Sequence, residues 1–200
     1  MTAREPEPAA AEGPSVRGAQ RVSLLAGPTA GIAFVGGTLL AAARTPSAQW
    51  TGQPFDALGV ILHLSVIVGS LLGIVFLLSV WGNAEHRIQR AGIGLFGIAL
   101  LMMALVNAIE VAFTTFPEPA GILGVLGFMI GIPSAMLVSG IGDVVAGFRR
   151  RGFASFGLWI VYFAFWLYAF QIRALPVLIG FVWLGCISAW MLVQYVSLRA

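Results

Sequence analysis

Apolar residues fall in long runs, and short polar or proline-bearing segments separate them. A spanning helix needs roughly 20 mainly apolar residues to cross a hydrocarbon core about 30 Å thick. Six segments satisfy that length: Val22–Ala43, Ala57–Trp81, Ala91–Phe116, Ala120–Gly147, Gly152–Phe170 and Leu175–Leu198. The breaks are RTPSAQWTGQPFD, GNAEHRIQR, TTFPEPAG, FRRRG and QIRALP. Proline in the third break blocks helix continuation, and the brevity of the last implies a tight antiparallel hairpin. The pattern predicts an all-α polytopic bundle of six transmembrane helices over residues 22–198. Residues 1–21, rich in Ala, Pro and Glu, lack the apolar core of a cleavable signal and read as a disordered cytoplasmic tail.

Composition supports that class. Hydrophobic residues make up 59% of the chain and charged residues 10%. A soluble fold would have too few charges to cover its surface. The net charge of +3 comes from arginines in short loops, with no lysine. That distribution is no nucleic-acid footprint, which would be a basic stripe along one face. With Asp56 and Glu118 beside them, Arg44 and Arg173 fall in loops on one side. Arg17, Arg21, Arg87, Arg90, Arg149, Arg150, Arg151 and Arg199 fall on the other. By the positive-inside rule the second group is cytoplasmic, so both termini are inside and the chain is a multi-pass protein of the cell (inner) membrane. Trp50, Trp81 and Tyr195 lie at the expected interfacial level. The basic inner rim would attract anionic headgroups.

Small residues mark close packing in lipid. Helix 1 carries Gly27, Gly31, Gly36 and Gly37, and helix 4 carries Gly124, Gly127, Gly131 and Gly140, with Pro133 in its span. Packing is the simpler reading. The sharper one makes helices 1 and 4 irregular, at matching places in two three-helix halves, as in transporters built on broken helices.

Ionisable groups inside a span are costly unless paired or hydrated. His63 lies about six residues, roughly 9 Å, past the outer end of helix 2. Glu110 lies equally far before the outer end of helix 3. Consecutive antiparallel helices are usually neighbours, so imidazole and carboxylate can meet. Asn107 shares the Glu110 face at i−3, and Ser70 follows His63 two turns on. His63, Glu110 and Asn107 are therefore the candidate catalytic residues: a His–carboxylate pair can share a proton, which suits acid–base catalysis or a proton relay. As a plain hydrogen-bonded pair it would simply fasten two helices. One His and one Glu are too few for a metal site, and no cofactor is expected. Asp143, near the inner end of helix 4, reads as an interfacial ion pair with an arginine, and His86 as a loop residue in solvent.

Helix 5 is aromatic: Phe156, Trp159, Phe163, Trp166 and Phe170 recur at spacings of three and four. Lipid contact and packing account for such a stripe. As a functional wall, Trp159, Phe163 and Trp166, with Arg173 at the outer end, would bind a bulky lipid-like molecule. No Walker lysine, HExxH, GxSxG or CxxC occurs. Three function classes follow: an acid–base enzyme acting on a lipid or isoprenoid, a small proton-coupled transporter or permease, and a non-catalytic subunit of a membrane complex. The enzyme leads, because aromatic density and a His–carboxylate pair occur together. The expected partners are the lipid bilayer and a lipid-like small molecule, together with a second copy or another membrane protein.

Overall fold

The computed structural model describes residues 14–42, 57–112, 122–172 and 176–199. They form six long helices: α1 (Pro14–Ala42), α2 (Ala57–Gly82), α3 (Arg87–Ala112), α4 (Ile122–Val145), α5 (Arg149–Ile172) and α6 (Pro176–Arg199). No strand occurs among the described residues. Each helix packs on its neighbours in sequence, and α1 closes on α6, giving a ring of helices. The bundle interior is filled by Phe34, Phe76, Phe96, Leu100, Met103, Met136, Ile187, Trp190 and Met191, all shielded from solvent. Phe96 stacks on Trp190 with ring centroids 4.3 Å apart.

The outside is apolar on every helix. Ile32, Leu78, Ile98, Ile122, Phe153 and Val196 are each more than half exposed. Water would drive such a surface to aggregate, whereas hydrocarbon solvates it. Three helical stretches, Val60–Gly82, Arg87–Ala112 and Ile122–Val145, are long and apolar enough to cross a membrane, and shorter apolar stretches run over Ser23–Gly37 and Val182–Leu198. The chain is thus all-helical and compatible with an integral membrane protein.

Three boundaries differ from the sequence expectation in ways that matter. Helix α1 begins at Pro14, not Val22, so residues 14–21 are helical and not part of an irregular tail. Pro14 stands at the first helical position, where its missing N–H costs nothing. Helix α3 begins at Arg87, not Ala91, because His86 and Gln89 cap it reciprocally. The His86 Nδ1 accepts the Ile88 N–H at 3.2 Å, and the Gln89 Oε1 accepts the Glu85 and His86 N–H groups at 3.0 and 2.9 Å. This is the geometry of a capping box. His86 is accordingly half-buried and structural. Finally, helix 5 starts at Arg149, not Gly152, which brings the arginine cluster into its first turn.

Of the two helices for which irregularity is the sharper reading, one is irregular. α1 runs as a continuous α-helix through Pro28 and its glycines. In α4, Val125–Gly131 is π-helical. Such single turns leave carbonyls poorly satisfied and often occur at functional sites. Here the Tyr162 hydroxyl, on α5, donates to the Phe128 carbonyl at 2.5 Å.

Candidate functional site

Polar side chains gather at two ends of the bundle. The first group lies between the start of α2 and the end of α3. His63 Nδ1 stands 2.8 Å from Asn107 Oδ1 and 3.0 Å from Glu110 Oε2. Asn107 Nδ2 donates to the Met103 carbonyl at 2.8 Å, which turns its oxygen towards the imidazole. Two acceptors therefore face one ring nitrogen, and that nitrogen must carry the proton. A carboxylate on Nδ1–H fixes the tautomer and stabilises the imidazolium, the arrangement used where histidine acts as a base. The group is neither sealed nor open: the His63 side chain is 12% exposed and that of Glu110 28%.

The structure thus joins His63, Asn107 and Glu110. Ser70 is fully buried further along α2, and its hydroxyl has no hydrogen-bond partner among the described residues. The aromatic ladder forms on α5: Trp159 stacks on Phe163 at 5.8 Å and Phe163 on Trp166 at 5.5 Å between centroids. Its helix packs on α4 and α6, so the ladder and the His63 group belong to separate helix pairs. Phe163 is exposed, Trp159 and Trp166 are half-buried, and Tyr162 is an aromatic residue that α5 turns fully inward. Arg173, Trp50 and Glu118 lie outside the described residues. No group of three or more His, Cys, Asp or Glu side chains suited to a metal ion occurs among the described residues.

The second group centres on Asp143, which is 3% exposed and joins four helices. Its Oδ1 accepts from Gln89 Nε2 of α3 at 2.9 Å and from Arg151 Nη2 of α5 at 2.6 Å, and its Oδ2 faces Gln194 Nε2 of α6 at 3.4 Å. Local structure delivers each partner. The Gln89 carbonyl oxygen is committed to the α3 cap, so its amide N–H₂ points at Asp143. Gly92 and Gly142 let α3 and α4 approach backbone to backbone. A Cβ on Gly142 would sit 2.5 Å from the Gln89 backbone nitrogen, and one on Gly92 would sit 2.5 Å from that of Ser139. Helix α4 ends in a Schellman turn: Phe148 N–H bonds Asp143 O at 2.8 Å, Gly147 N–H bonds Val144 O at 3.1 Å, and Gly147 has φ +91°. That reversal returns the chain so that Arg151 lies over Asp143, with its guanidinium 4.4 Å from the Phe148 ring centre.

The two groups lie about 27 Å apart along α3, from Asn107 to Gln89. Phe96, Leu100 and Met103 fill the interval and are fully buried. No protein-family model, no curated protein and no solved structure matches this chain.

Proposed function

We propose that the protein is a six-span membrane protein, with both termini inside, and that it performs general acid–base chemistry at His63 on a lipid or isoprenoid that reaches it from the bilayer. The observation that carries this reading is the convergence of Asn107 Oδ1, at 2.8 Å, and Glu110 Oε2, at 3.0 Å, on His63 Nδ1. A His–carboxylate pair so placed can share a proton and pass it on, with Asn107 orienting the ring. Exposed Ile61, Leu64 and Leu105 flank the group on α2 and α3, which suits a substrate arriving laterally through lipid.

The test compares lipid extracts of membranes containing the wild-type chain, His63→Gln or Glu110→Gln. A lipid or isoprenoid species formed by the wild type should fall at least about 100-fold in either variant, the low end of acid–base contributions. Full turnover in Glu110→Gln would remove the proposal.

A second reading, a proton-coupled permease, is favoured by the polar group at the far end, Asp143 with Arg151, and by the π-helical turn in α4. It predicts that proteoliposomes loaded with a pH dye acidify with solute entry, and that Glu110→Gln abolishes the coupling. The enzyme reading predicts no such flux.

A further inference from the structure

The Asp143 end holds a small cavity lined by Gln89, Ser139, Asp143, Arg151, Trp190 and Gln194, among others. Three of the groups around it can donate hydrogen bonds that the described residues do not take up. Ser139 Oγ, Arg151 Nε and Trp190 Nε1 are buried and have no hydrogen-bond partner among the described residues. Buried donors left unpaired are expensive, so three around one cavity point to an absent acceptor. Asp143 is engaged by its own helix partners: Gln89 and Arg151 hold Oδ1, Gln194 faces Oδ2, and Arg151 neutralises the charge. Arg151 lines the cavity, and this end of the bundle also carries Arg87 and Arg90 at the start of α3 and Arg149 and Arg150 at the start of α5. The cavity comprises about 260 Å³ of empty space, open solvent at its mouth included, and leaves room for about one water-sized particle clear of its walls. One oxygen of a larger anion fits inside, with the remainder at the mouth.

We propose that this cavity binds a phosphate group, with one oxygen taken by Ser139 Oγ, Arg151 Nε and Trp190 Nε1. The site is independent of the His63 group, at the opposite end of the bundle. The phosphate comes either from a lipid headgroup at the membrane edge or from solution, and both offer the same acceptor to the same donors.

Trp190 reports the binding directly. The full-length chain, labelled with ¹⁵N at the tryptophan indoles, is held in maltoside micelles free of phosphate, and Trp190→Phe identifies the Trp190 signal. Inorganic phosphate is titrated into one sample and phosphatidylglycerol into another. The Trp190 N–H signal should shift and saturate with at least one probe. A shift with both means that the phosphate group suffices, and a shift with the lipid alone means that the headgroup is recognised with its chain. Ser139→Ala and Arg151→Lys should each weaken the binding about tenfold, since the lysine keeps the charge but lacks Nε. No shift with either probe, or wild-type affinity in both variants, would show a cavity that holds only solvent and overturn the proposal.

Discussion

Replacing Arg151 by Met tests whether Asp143 is the polar fastening of the bundle. The substitution removes the cation 2.6 Å from Asp143 Oδ1, where the two side chains are 11% and 5% exposed. At that separation the attraction is roughly 6 kcal/mol for an effective dielectric of about 20, before desolvation is subtracted. Desolvation cancels much of it while the pair is intact, but in Arg151→Met the carboxylate stays buried with only Gln89 and Gln194 to face it. The expected loss is therefore about 3–5 kcal/mol, the usual cost of stranding a buried charge. Asp143→Asn leaves an arginine that can swing its long stem towards the end of the bundle, so its loss should be smaller, about 1–3 kcal/mol. The double variant strands no charge and should be more stable than Arg151→Met alone. Unfolding in mixed maltoside and dodecyl sulfate micelles, followed by tryptophan fluorescence, gives all four corners of the cycle. Additive losses, or an Arg151→Met variant within about 0.5 kcal/mol of wild type, would refute the account of Asp143 as a charge held by its partner.

Two further outcomes follow from packing. Gly142→Ala should lose about 1–3 kcal/mol in the same assay, because the new methyl would meet the Gln89 backbone at 2.5 Å, while Gly157→Ala, with nothing within 4 Å, should be neutral or stabilising by up to about 1 kcal/mol. Tyr162→Phe should lose roughly 1 kcal/mol and speed amide exchange across Val125–Gly131, since it removes the donor to the Phe128 carbonyl; unchanged exchange would show that the π-helical turn needs no such bond.

The His63 group was readable from the sequence because its logic is one-dimensional. Two ionisable residues equally deep on consecutive antiparallel helices meet if the helices are neighbours, and Asn107 follows from the helical repeat. The Asp143 group was not, since its amide partners Gln89 and Gln194 come from helices 54 and 51 residues away. A signal was present all the same in Gln194, an uncharged amide inside an apolar span that also needs a partner, whereas Gln89 falls in a polar break and gives none. Arg151, and not Arg149, reaches Asp143 because of a turn whose geometry depends on Gly147. On α5 the periodicity located the Trp159–Phe163–Trp166 stripe but could not orient it, since hydrocarbon and core attract aromatic rings alike. Tyr162 carried the better clue, for a phenol in that setting must find an acceptor. The π-helical turn left only the cluster of Gly124, Gly127, Gly131 and Pro133, which equally describes ordinary close packing.

The central claim is that His63 keeps its proton on Nδ1 between Asn107 and Glu110. Nitrogen NMR of the ¹⁵N-histidine-labelled protein in bicelles reads this directly, with His86→Gln removing the other imidazole. The neutral ring should show a protonated Nδ1 and a bare Nε2, and Glu110→Ala combined with Asn107→Leu should release it to the Nε2–H form that free imidazole side chains prefer. A wild-type His63 already protonated at Nε2 and bare at Nδ1 would contradict the geometry on which the proposed chemistry rests.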